Sequence, residues 1–264
     1  MIIFVLFKIE MRYILELSYL GTRYHGWQKQ RDRITVQAQV NHALQTALQE
    51  NVEVVGAGRT DTGVHASGYI AHFDSQQHLI DAKKMVFKLN SILPPDIAVS
   101  KLIKVHDEFH ARFDAVSRTY EYSIVQFKDP FSIERSFFVK NQLNVEAMQK
   151  ASQVLFNHKN FKSFSKVKTD VYTFDCDIKK ALWRQDHQQL VFEISANRFL
   201  RNMVRAIVGT LIEVGLEKIT VEDFNSIILA KDRSKAGKSV PAHALILKQI
   251  EYPDGVLENS IDGK

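Results

Sequence analysis

The stretch that most constrains this chain is Gly56-Ala57-Gly58-Arg59-Thr60-Asp61-Thr62-Gly63-Val64-His65-Ala66. Val52 to Val55 before it alternates like a short strand, and Ser67 to Phe73 after it is β-branched and aromatic. A glycine-rich loop between two strands lets the backbone take unusual conformations and approach a ligand closely. Arg59 and Asp61 stand two apart, so in an extended segment they share a face, and a neighbouring guanidinium favours an ionised carboxylate. The loop reads as a device for presenting one Asp anion. The plainer alternative is that Asp61 bonds its own turn, as Asp commonly does.

Two familiar chemistries are excluded. Gly56 and Gly58 match the start of a dinucleotide loop, but the third glycine would fall at Asp61, and strand rather than helix follows. His106-Asp107-Glu108-Phe109-His110 has histidines four apart, yet the residue after the first is Asp107, not the Glu a zinc-protease helix needs. The only cysteine, Cys176, rules out an intrachain disulfide and a Cys-rich zinc site, and it suits a reducing cytoplasm.

The order of elements reads as α+β. Tyr13 to Tyr19 is a strand and Thr35 to Glu50 a helix. Asp81 to Leu93 is a second helix with Asp81 as its cap, and Ile97 to Val105 a strand. With the strands flanking the Asp61 loop this gives β-α-β-β-α-β, a ferredoxin-like half. The rest repeats the theme: strand at Thr119–Phe127, helix at Asn144–Phe156, and paired strands at Asp177–Trp183 and Leu190–Ile194 around a Gln185–Gln188 turn. Helices then follow at Leu200–Val214 and Val221–Ala230, and a strand at Leu245–Tyr252. The 264 residues suit two domains, 11–110 and 111–254, with tails at 1–10 and 255–264. Ile2 to Phe7 is apolar but too short to span a bilayer and lacks the flanks of a signal peptide, so we expect no membrane segment and synthesis from Met11.

Lys plus Arg at 35 against Asp plus Glu at 30 gives a net charge of +5, compatible with a polyanionic partner. Arg198, Arg201 and Arg205 would share one face if the Leu200–Val214 helix begins early, an unpaired cationic row suited to phosphate. Lys159, Lys162, Lys166 and Lys168 interleave with Phe161 and Phe164; Arg112, Arg118 and Lys128 add charge, and Lys231 to Lys238 reads as a mobile basic loop. Cations neutralise phosphates and aromatic rings offer surfaces to unstacked bases.

The string Gly-Arg-Thr-Asp-x-Gly-Val-His-Ala resembles the signature of the tRNA pseudouridine synthase A family, and the likeness runs from about Met11 to Pro253. It takes in Tyr24–Gln28, Phe109-His110-Ala111-Arg112-Phe113, Arg118–Tyr120, Phe161–Phe164 and Met203–Arg205. The resemblance implies two ferredoxin-like, RRM-like halves joined into one broad antiparallel sheet with a central cleft. It also implies a homodimer, no cofactor and no metal, and a tRNA substrate isomerised at uridines 38 to 40 of the anticodon stem-loop. Asp61 would be the catalytic carboxylate, attacking C1′ or C6 or taking the 2′ proton. Arg205 would pair with it, and Tyr120 would stack on the base and help remove the C5 proton. Arg59 would hold the loop and a phosphate, and Leu245 would form an apolar wall. Phe109 to Phe113, Lys128, Arg198 and Arg201 would bind substrate. The sequence departs from the family at Ala244, where Gly is expected, and over Val167–Val171. A binding module without catalysis and a synthase for another RNA are the rival readings; turnover on an anticodon stem-loop separates the first, and mapping of modified sites the second.

Overall fold

Tyr13, Leu15, Leu17 and Tyr19 alternate along the first strand and are all buried, so one face of that strand carries a core. In a computed structural model of the protein, which describes residues 10–79, 81–167 and 171–257, this strand is β1 (Met11–Tyr19). α1 (Val36–Leu48) lays Val36, Val40, Ala43, Leu44, Ala47 and Leu48 into that core, an apolar stripe at helical spacing. β2 (Val55–Gly56), β3 (His65–Ser75), α2 (Ala82–Ile92) and β4 (Ile97–Lys104) complete the expected β-α-β-β-α-β order. Asp81 caps α2 as expected, its carboxylate accepting from the Lys84 amide.

The second run of elements is β5 (Ser117–Val125), β6 (Phe137–Phe138), α3 (Val145–Val154), β7 (Ile178–Asp186), β8 (Gln189–Ala196), α4 (Met203–Gly215), α5 (Val221–Ala230) and β9 (Leu245–Glu251). A second core gathers Tyr122, Phe161, Phe164, Phe192 and Phe224 with the inner faces of α3, α4 and α5. The strands form one sheet in the order β4-β1-β3-β9-β5-β8-β7, with β2 on β3 and β6 on β5. The fold is thus the expected α+β class with a broad, largely antiparallel sheet. Its central junction is parallel: β3 meets β9 through the pairs His65–Ile246 and Ala66–Leu247.

Three local expectations are corrected. The strand before the Asp61 loop shrinks to Val55–Gly56, because the Val54 backbone is bonded by side chains of α1: its N–H to Asn41 Oδ1 (2.9 Å) and its carbonyl by Gln37 Nε2 (2.8 Å). α4 begins at Met203, since Asn202 adopts a left-handed conformation (φ 67°) that interrupts any earlier turn. Arg198 and Arg201 therefore precede the helix and form no row along it. The run Lys231–Lys238 is tied down: Arg233 donates to the Ala236 and Gly237 carbonyls and to Ser239 Oγ, and the Gly237 amide bonds Thr210 Oγ1 (3.0 Å). Among the described residues no helix is long and apolar enough to cross a membrane. Residues 1–9, which the expected start at Met11 would leave out, and Lys168, Thr169 and Asp170 lie outside the described residues.

Candidate active site

The Asp61 loop rests on an aromatic platform. Trp27 and Tyr69 stack with centroids 4.0 Å apart, and Tyr19 tilts against both. The Tyr19 hydroxyl pairs with Thr60 Oγ1 (2.9 Å), the Tyr69 hydroxyl donates to the Gly58 carbonyl, and the Trp27 amide reaches the Thr60 carbonyl (3.4 Å). Gly56 must lack a side chain, because a Cβ there would run into the Tyr69 hydroxyl and the Trp27 indole. Gly63, at φ 81°, turns the chain after Asp61. His65 then locks the far side: its Nδ1 accepts from the Gly21 amide (2.8 Å), so Nε2 carries the proton and faces the carbonyls of Glu134 (2.8 Å) and His243 (2.7 Å).

Asp61 is not spent on its own turn. The turn closes through the backbone, Val64 N–H to the Asp61 carbonyl (3.1 Å), and among the described residues no backbone N–H bonds the carboxylate. The side chain is 28% exposed and sits between two guanidiniums, Arg205 Nη1 at 3.5 Å and Arg201 Nε at 3.8 Å. Both distances exceed hydrogen-bond length, so the attraction is coulombic and the oxygens stay open to a ligand. Arg205 is steadied by its Nε bond to the Val240 carbonyl (2.8 Å), and Asn202 by its Nδ2 bond to Ser239 Oγ (2.6 Å). Thr62, Lys166, Val167, Asn202 and Arg233 complete a cleft of about 620 Å³ around these three residues. Four cations against one carboxylate make it suited to a polyanion.

Tyr120 projects from β5 and is half-buried, its ring edge-on to Phe199 at 5.2 Å. Burial, and then the nearby Asp61 charge, push its phenol up to about 12, so it is a protonated hydroxyl at neutral pH. Leu245 opens β9 opposite Tyr122 and is buried in the second core, as is the methyl of Ala244.

Other expected site residues fall elsewhere. Phe109 and Ala111 are fully buried and belong to the core rather than to a binding surface. The turn they anchor is held by Arg12 on the Phe109 carbonyl (2.8 Å), His72 Nδ1 on the Ala111 amide (3.1 Å) and Tyr252 on the Ala111 carbonyl (2.6 Å). That turn leaves His110 half-buried and Arg112 and Phe113 exposed, with the Arg112 guanidinium 5.5 Å from the Phe113 ring. Phe161 and Phe164 are also fully buried, so they offer no stacking face, whereas Lys159, Lys162 and Lys166 are exposed. Arg59 is exposed, and no carboxylate among the described residues lies within ion-pair distance of it; Asp61 draws its cations from Arg201 and Arg205 instead. Arg198 lies near the buried Cys176, outside the cleft lining. Lys128 follows the far end of β5, beside Asp129 and a shallow depression at the β7–β8 turn. Among the described residues no three His, Cys, Asp or Glu side chains converge to hold a metal ion.

Comparison with known proteins gives the family of the chain. Residues 17–114 and 151–253 match the family model described as tRNA pseudouridine synthase. The chain is 50% identical over 243 residues to a tRNA pseudouridine synthase A of Parabacteroides distasonis, covering 92% of this chain and 96% of that protein. It is 49% identical to the tRNA pseudouridine synthase A of Bacteroides fragilis (94% and 98% covered) and 48% identical to that of Bacteroides thetaiotaomicron (93% and 92%). The family match and these relatives place this open α+β sheet among the isomerases that form pseudouridine. The chain belongs to the tRNA pseudouridine synthase family.

Proposed function

We propose that this enzyme converts uridine to pseudouridine at positions 38 to 40 of the tRNA anticodon stem-loop, with Asp61 as the reacting carboxylate. The observation that carries the reading is the Asp61 side chain itself: unengaged by its turn, flanked by Arg201 and Arg205, and open to the cleft. In the reaction the N1–C1′ bond breaks, the uracil turns, C5 bonds to C1′, C5 loses its proton and N1 gains one. Nothing is oxidised, reduced or hydrolysed, so the chemistry needs no cofactor. It does need an anion against the nucleoside, a pocket that keeps the freed base, and cations for the phosphates on either side. Asp61 supplies the first. Tyr120, entering as a neutral phenol, provides a ring face for the base and a hydroxyl able to pass on the C5 proton. Arg205 and Arg201 flank the carboxylate, while Arg233, Lys166 and Arg201 face the backbone of the RNA. A stem uridine must be flipped out to reach this depth, at a cost of a few kcal/mol that stacking and phosphate contacts offset. The family resemblance supports a homodimer spanned by one tRNA, acting in the cytoplasm.

The test is tritium release from [5-³H]uridine tRNA by wild-type and Asp61→Asn proteins, with melting and tRNA binding measured on the same samples. Asn keeps the shape of Asp and removes the charge. Turnover is expected to fall at least about 1,000-fold while folding and binding persist. A folded Asp61→Asn protein that retains activity within a few-fold defeats the assignment. Mapping of pseudouridine in total RNA with and without the protein then tests the site: loss at 38 to 40 supports the anticodon reading, and loss elsewhere replaces it.

A further inference from the structure

Arg118 stands two residues before Tyr120 on β5, so their side chains leave the strand on the same side. It is half-buried, and no carboxylate among the described residues lies within ion-pair distance. Its two terminal nitrogens instead donate four hydrogen bonds, every one to a backbone carbonyl. Nη1 bonds Ala115 (2.9 Å) and Asn197 (2.8 Å); Nη2 bonds Arg112 (2.7 Å) and Ala57 (3.3 Å).

The four carbonyls belong to four places in the chain. Ala57 begins the loop that carries Asp61. Arg112 belongs to the turn that exposes Arg112 and Phe113. Ala115 precedes β5, and Asn197 follows β8 and leads into the segment that delivers Arg201 to Asp61. A planar guanidinium fork holds four acceptors in one fixed arrangement; a lysine ammonium has three hydrogens on a single flexible point. Burying a cation without a counter-ion is costly, and here all four hydrogens of its terminal nitrogens are used to hold chain segments around the cleft.

We infer that Arg118 is a positioning residue for the isomerisation: it fixes the separation between the Asp61 loop and the Asn197–Arg201 segment, and so sets where Arg201 stands against the carboxylate. The inference rests on the reading of Asp61 as the reacting group.

The experiment is a double-mutant cycle of Arg118→Lys with Arg201→Ala, followed by single-turnover tritium release, tRNA binding and thermal melting. Arg118→Lys is expected to bind tRNA within about threefold of wild type yet react at least about thirtyfold more slowly, a loss in the chemical step rather than in affinity. The double variant is expected to be no more than about threefold slower than the slower single variant, because both changes remove one arrangement. Wild-type rates from Arg118→Lys, a loss of affinity equal to the loss of rate, or fully multiplicative losses in the double variant each overturn the inference. If Arg118→Lys does not fold, Arg118→Gln, which keeps two planar N–H donors, enters the same cycle; failure of both to fold makes Arg118 a folding residue and also overturns it. An active Asp61→Asn protein removes the reading of Asp61 whatever the cycle gives, whereas independent losses beside an inactive Asp61→Asn protein remove Arg118 alone.

Discussion

His72 ties a titratable ring to the placement of a neighbouring turn. It is 3% exposed, and its Nδ1 accepts from the Ala111 amide, which requires that nitrogen to be unprotonated. Burial, then the charges of Arg12 and His110, lower its pKa to about 4. In the unfolded chain a histidine titrates near 6.5. As pH falls below that value the unfolded state takes up a proton that the folded state refuses, so this contribution to stability is complete above about 6.5 and is lost as pH falls towards 4. The melting temperature should therefore drop across that window, and drop less steeply in His72→Asn, where the amide oxygen replaces Nδ1 as acceptor. Equal slopes for the two proteins would place the acid sensitivity elsewhere. At this scale the sequence singled out the Asp61 loop but left two jobs open for Asp61, and it is the backbone-closed turn and the two nearby guanidiniums that set the turn-bonding reading aside. It was opaque at Phe109 and Ala111, because a short aromatic and basic string does not say which members turn inward. Arg118 was read as one more phosphate-suited cation in the Arg118–Tyr120 string, because the expected strand began at Thr119; the observed strand begins at Ser117 and puts Arg118 on the same side as Tyr120.

The glycines of the Asp61 loop serve different ends, and substitution should separate them. Gly56→Ala drives a methyl into the stacked Trp27 and Tyr69, so it should destabilise the protein by about 1–3 kcal/mol and loosen the loop. Gly58→Ala meets nothing within 4 Å and should melt within a degree or two of wild type. Thermal melting of the two proteins checks this, and a Gly56→Ala protein as stable as Gly58→Ala would show that the aromatic platform yields freely. Helices were readable to within a residue or two: α2 from its Asp81 cap, and α5 over Val221–Ala230, where the structure adds a Thr220 and Asp223 capping box. Elements whose ends depend on distant partners were not. The start of α4 turns on the left-handed Asn202 held by Ser239. The β7–β8 hairpin tightens to His187 and Gln188 because His187 accepts φ 52°, which lets both strands run further than the polar run suggested.

Across the whole molecule the excess of five positive charges matters less than where it gathers. Lys166, Arg201, Arg205 and Arg233 converge on the cleft, so tRNA binding should weaken steeply with salt. Arg201→Ala should reduce the slope of log K against log salt by about one unit if it meets a phosphate, and Arg198→Ala, outside the cleft lining, should reduce it less. Binding titrations at several salt concentrations give both slopes; no change with Arg201→Ala would confine that residue to steadying Asp61. The parallel junction at the centre of the sheet carries a different consequence. β9 lies between β3 and β5, and the His243 carbonyl that secures His65 stands two residues ahead of it. While the chain is still emerging from the ribosome, the two wings of the sheet have no strand to join them. A chain that stops before residue 245 would carry the Asp61 loop and the Arg201–Arg205 segment without the strand that ties one wing to the other.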